Sequence, residues 1–139
     1  MGIYGSVPLN KLLGESGMVN LLNPELRSRD IRNLVEPHLH EVNWDFGVDE
    51  TSEWVIASCE NETYKNRLVS WLSSKNIPVS ENTIVTDTAW ANLQHTTWSN
   101  LLEKPDEFFN QERVLVVASD RSWVIEYAPQ QVIRFGRWV

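Results

Sequence analysis

The chain has 139 residues, with 19 Asp+Glu against 12 Lys+Arg and a formal net charge of -7, a length that suits one domain with its own core. Hydrophobic residues at 42% and charged residues at 22% exclude wholesale disorder. No apolar run approaches the ~18 residues of a membrane helix, and the acidic balance argues against a generic nucleic-acid or anionic-membrane binder.

The imbalance has a location. From Glu41 to Glu62 there are seven carboxylates (Glu41, Asp45, Asp49, Glu50, Glu53, Glu60 and Glu62) and no Lys or Arg, while the remaining 12 acids match the 12 bases. The start of the chain lacks a basic stretch followed by an apolar run, and the single Cys59 excludes an internal disulfide framework. Both features predict a reducing, cytoplasmic setting.

In chain order, Leu9 to Leu13 suggests a short helical turn. Pro24 to Glu36 reads as a helix, with Asn23 as N-cap, Pro24 at the first position and Pro37 as the stop. Val42, Trp44 and Phe46 alternate with polar residues as in a strand, and Glu53 to Cys59 reads as a second strand, the two forming a hairpin. Asn61 is placed to cap a helix running to about Lys75. Thr83 to Thr86 is a short β-branched strand. Asp87 is read as the cap of a helix carrying Trp90, Leu93 and Thr97, with a further helix from Thr97 to Glu103 and one more turn at Asp106 to Asn110. Arg113 to Ser119, Ser122 to Ala128 and Val132 to Trp138 form an antiparallel meander on short turns. Val114 to Val117, apolar without alternation, is its doubly covered strand, and Val132 to Trp138 is an edge. The predicted class is α+β: a C-terminal three-stranded antiparallel meander plus an N-terminal hairpin, packed with three to four helices in a single domain.

Seven tryptophans are the most conspicuous chemistry. Most are expected in the core, where indoles bury large area. Trp44 and Trp54 stand apart, because Asp45 and Glu53 flank them; an aromatic ringed by carboxylates suits contact with a basic partner as well as it suits a core. The predicted partner-binding set is Trp44, Asp45, Asp49, Glu50, Glu53 and Trp54. These acids do not follow the calcium-loop order. His38 and His40 form only a partial zinc pair, and no third ligand is dictated among His95, Cys59 or the carboxylates. No nucleophile elbow, metalloprotease helix, phosphate-cradling loop or dinucleotide fingerprint occurs, so neither a catalytic residue nor a cofactor is assigned. Arg121, Arg134 and Arg137 form either a small basic patch or partners for the domain's own acids.

In size, acidic balance, aromatic content and helix-plus-meander layout, the chain resembles the immunity proteins of bacterial toxin–immunity systems. The resemblance implies a protein that binds a cognate, basic toxin domain and occludes it, without enzymatic activity of its own. Two other readings compete. One is a small enzyme or ligand-binding domain with an aromatic pocket using His38, His40 or His95. The other is an accessory subunit, adaptor or homodimer.

Overall fold

The run Val114–Ala118 carries no polar side chain, so it can hide both faces only inside a covered sheet. The computed structural model, which describes residues 19–46, 52–110 and 112–138, places it there. Its strands are β1 (Val42–Trp44), β2 (Val55–Ile56), β3 (Asn82–Asp87), β4 (Leu93–Thr97), β5 (Val114–Ala118), β6 (Trp123–Ala128) and β7 (Val132–Trp138). All pairings are antiparallel; the order is β1–β7–β6–β5–β3–β4, and β2 also pairs with β7. The helices are α1 (Ser28–Val35), α2 (Glu62–Ser73), α3 (Trp98–Glu103) and α4 (Pro105–Phe108). The protein is α+β, with the C-terminal meander β5–β6–β7 at its centre.

Strand alternation divides the core in two. Val116, Ile125, Tyr127, Ile133 and Phe135 face Leu68 and Leu72 of α2, Trp98 and Leu101 of α3 and Phe108 of α4. Leu115, Val117, Val124 and Ile84 face Ile31, Leu34 and Val35 of α1. On the first face, Trp98 meets Trp123 edge-on at 5.2 Å between ring centroids, and Trp123 stacks on Phe135 at 5.8 Å. Trp90, Trp98 and Trp123 are buried, whereas Trp44, Trp54, Trp71 and Trp138 are half-buried, so fewer than the expected majority belong wholly to the core.

Local signals hold where nothing competes with them. Asn61 caps α2 by accepting a hydrogen bond from the Tyr64 N–H at 2.9 Å, and Thr97 caps α3 through the Asn100 N–H at 3.2 Å. Arg121 and Gln131 supply the left-handed residue (φ 56° and 62°) in the β5–β6 and β6–β7 turns, where glycine is the usual occupant.

Four expectations are corrected. The first helix begins at Ser28, because the Asp30 carboxylate accepts from the Arg27 N–H at 2.9 Å, while Asn23 instead closes a turn by accepting from the Glu25 N–H. After Val35 the chain tightens into a 3-10 stretch, Glu36–Glu41, with Pro37 in its first turn. Asp87 caps no helix: its Oδ1 accepts from the N–H groups of Ala91 and Asn92 at 2.9 and 3.3 Å, closing a turn, and Leu93–Thr97 continues as β4 along the edge of β3. An Asp side chain serves a turn as readily as a helix start, and β-branched Thr96 and Thr97 favour the strand.

The third and fourth corrections concern one edge. The segments around Val42–Trp44 and Val55–Ile56 do not pair with each other as a hairpin; both pair with β7, Val42 opposite Trp138 and Val55 opposite Ile133. They are two short pieces laid along the same side of β7. Consequently β7 is interior, not an edge. The predicted turn at Leu9 to Leu13 lies outside the described residues. Among those described, no helix is long and apolar enough to cross a membrane.

β1 approaches β7 at Gly136, where an added Cβ would stand 2.5 Å from Val42 Cγ1, 2.9 Å from the Asn43 carbonyl and 3.0 Å from Trp44 Cα. Two of these three atoms are backbone, so relief requires β1 to move. Gly136→Ala is expected to lower stability by about 1–3 kcal/mol, read as a fall in the denaturant midpoint, with faster amide exchange concentrated in Val42 to Trp44.

An arginine held between two tryptophans

Arg134 lies on β7 between Ile133 and Phe135, both wholly buried on the α2 face. Alternation therefore turns its side chain to the other face of the sheet. Val55 is opposite Ile133, which brings Trp54 beside Arg134, and Trp44 is opposite Gly136. The register of two separate strand pieces thus delivers two indoles to one guanidinium. Its central carbon lies 3.7 Å from the Trp44 ring centroid and 4.7 Å from that of Trp54.

The polar periphery of the guanidinium is also engaged. Nε and an Nη donate to Glu126 Oε1 on β6 at 2.9 and 2.6 Å, and Nη1 pairs with Glu53. Arg113 donates to the other oxygen of Glu126 at 2.6 Å. A row Glu53–Arg134–Glu126–Arg113 therefore crosses the sheet. The Arg134 and Glu126 side chains are 21% and 16% exposed, and that of Glu53 is 38% exposed. Solvent screens the Glu53 end more than the Glu126 end, so the inner pair contributes more to holding the row together.

Asp45 points to the opposite face. It pairs with Lys75 at 3.1 Å and Arg137 at 3.7 Å. The Lys75 ammonium also sits 4.4 Å from the Trp71 ring centroid and 5.2 Å from that of Phe135. The ion-paired carboxylates Asp45 and Glu53 thus serve opposite faces of the sheet. Of the predicted contact set, Trp44, Glu53 and Trp54 come together, Asp45 is separated from them, and Asp49 and Glu50 lie outside the described residues.

The residues that sequence reasoning did not assign to this site are Arg134, Glu126, Arg113 and Lys75. The signal for Arg134 and Arg137 was their proximity to a segment rich in acids and empty of bases, and both serve as partners of those acids. Phe46 and Ile56 were also missed as surface groups; they are 71% and 75% exposed.

The histidines and the cysteine do not converge. His38 pairs with Glu41 at 2.8 Å, and this hydrogen bond holds the Glu41 carboxyl below its usual range. His40 is exposed beside it, and His95 is exposed on β4. Cys59 lines a cavity of about 210 Å³ with Asp106, Phe109, Asn110, Tyr127 and Gln131. Burial pushes its thiol pKa up, and Asp106 adds to this against Lys65, the reverse of what an activated thiolate requires. Among the described residues, no group of three His, Cys, Asp or Glu is arranged to hold a metal.

No family model, curated protein or solved structure matches this chain.

Removing Arg134 takes the shared cation from Glu53 and Glu126 and the packing face from two indoles. Arg134→Ala is expected to cost about 2–4 kcal/mol, somewhat below the roughly 3–5 kcal/mol for breaking a fully buried pair, because the Glu53 end is exposed to solvent. Arg134→Lys should recover only part of it, because an ammonium lacks the planar fork and stacking face. Thermal unfolding followed by tryptophan fluorescence checks both, with a red-shifted emission expected for the alanine variant.

Proposed function

We propose that this is a small binding protein of the immunity type, which neutralises a basic toxin domain by docking on it and occluding it, in the reducing cytoplasm. The observation that carries this reading is the exposure of two apolar side chains, Phe46 and Ile56, each two residues on in the chain from a tryptophan of the Trp44–Arg134–Trp54 stack. Large apolar groups in water next to pre-ordered aromatics are the composition of a protein contact.

Electrostatics divides the labour within the acidic segment. Asp45 and Glu53 are answered by the chain's own cations, so they do not meet a partner bare. The net charge of -7 supplies the long-range attraction for a basic domain and repels acidic ones. Asp49 and Glu50 are the acids proposed for steering, and Phe46, Trp54 and Ile56 the groups proposed for residence time.

Co-expression with the product of the adjacent reading frame tests the function: the protein should relieve its toxicity, and no relief would count against the reading. With that partner in hand, Phe46→Ser combined with Ile56→Ser should speed dissociation by roughly tenfold or more at unchanged thermal stability. Asp49→Lys with Glu50→Lys should slow association and flatten its salt dependence. Unaltered rate constants in both double variants would contradict the assigned surface.

A further inference from the structure

The two edges of the sheet are built differently. On the β7 side, the neighbours are two short strands, β1 and β2, with ion-paired Asp45 and Glu53 beside them. Interruption and charge are the usual protections of an edge. On the other side, β4 runs unbroken over Leu93–Thr97 with no charge, no proline and no bulge, and no other described strand pairs with it.

The ladder defines which groups face outward. The Trp98 N–H donates to the Glu81 carbonyl at 2.8 Å, and Trp98 continues the register that sets Thr97 opposite Asn82. Antiparallel pairs alternate between bonded and non-bonded. Thr96 and Gln94 therefore turn their N–H and C=O groups to β3, while His95 and Leu93 turn both of theirs, and Thr97 its N–H, away from the sheet; the Thr97 carbonyl serves α3 as its N-cap. The Ser119 N–H bond to the Asn82 carbonyl at 3.1 Å confirms the phase, since it places Asn82 in a bonded pair on the β5 side of β3.

Charge selects the occupant. Asp87 lies at one end of this edge, at the start of the β3–β4 turn. Glu81 lies at the other end, opposite Trp98; burial, and after it Asp120 on the β5 side of β3, raises its carboxyl above the usual range. Arg121, the cation of that turn, donates to the Leu34 carbonyl and stacks on Trp138 instead. A second copy pairing antiparallel about His95 would bring the Asp87 end of each chain against the Glu81–Asp120 end of the other. It would set acid beside acid between two chains of net charge -7.

We propose that the outer edge of β4 takes up an extended, basic segment of a partner protein as an additional antiparallel strand. Main-chain bonds from Leu93, His95 and Thr97 would supply the pairing, and the terminal acids would select Lys or Arg at the ends of the added strand. This surface is at the opposite edge from the Trp44–Arg134–Trp54 stack and does not depend on it.

The test uses the full chain and two synthetic peptides of alternating Val and Thr, one flanked by lysines and the other by glutamates, followed by amide NMR and titration. The lysine peptide should shift and protect the amides of Leu93, His95 and Thr97, weaken with added salt, and bind better than the glutamate peptide. His95→Pro removes an outward N–H and leaves the bonds to β3 intact, a substitution an edge tolerates. It should reduce affinity at least roughly tenfold, the effect of about 1.4 kcal/mol, at near-normal thermal stability. Gln94→Pro, whose N–H faces β3, should instead lower stability. The proposal is overturned if the lysine peptide perturbs other residues or none, if His95→Pro binds it unchanged, or if concentration alone drives β4 into a dimer.

Discussion

A guanidinium between two indoles can be satisfied only if its rim finds acceptors within the plane while its faces meet carbon. Arg134 meets both conditions with residues from three places: Trp44 on β1, Glu53 and Trp54 just before β2, and Glu126 on the neighbouring strand. The outer strand of the sheet is thereby held at both of its pieces by one side chain. Neither piece has the length to persist alone, since β1 has three residues and β2 two, and such short ladders need tertiary contacts to keep their register.

The same edge is fastened on its other face by Lys75, which stands over Trp71 and Phe135 while it pairs with Asp45. Each cation uses aromatic carbon for its stem or plane and a carboxylate from the acidic segment for its charge. The acidity that dominates the sequence statistics is thus partly structural. It supplies counterions for Arg134, Lys75 and Arg137.

Much of the fold was readable from local chemistry. The apolar run of β5, the short turns around it and the cap Asn61 specify their elements without distant partners, and each is where the sequence puts it. The misreadings share a cause. Val42–Trp44 and Val55–Ile56 carry strand patterning, but alternation does not say which strand will be the partner. Proximity in sequence favoured a hairpin, while β7, about 80 residues later, offered the longer ladder. Asp87 and the residues after it satisfy a helix start and a turn equally well, and only the open edge of β3 decides. The site was half legible for the same reason: Trp44, Glu53 and Trp54 were visible as an acidic-aromatic set, whereas Arg134 and Glu126 enter through pairings between β2, β7 and β6.

The central claim is that Arg134 and the two tryptophans act as one unit rather than as neighbours. A double-mutant cycle on Arg134→Met and Trp54→Leu, read by equilibrium unfolding, measures this most directly. A coupling energy of about 1 kcal/mol or more is expected for a stacked cation with little solvent around it. Additivity of the two changes within about 0.3 kcal/mol would mean that the outer strand is held by the ladder alone, and would contradict the account.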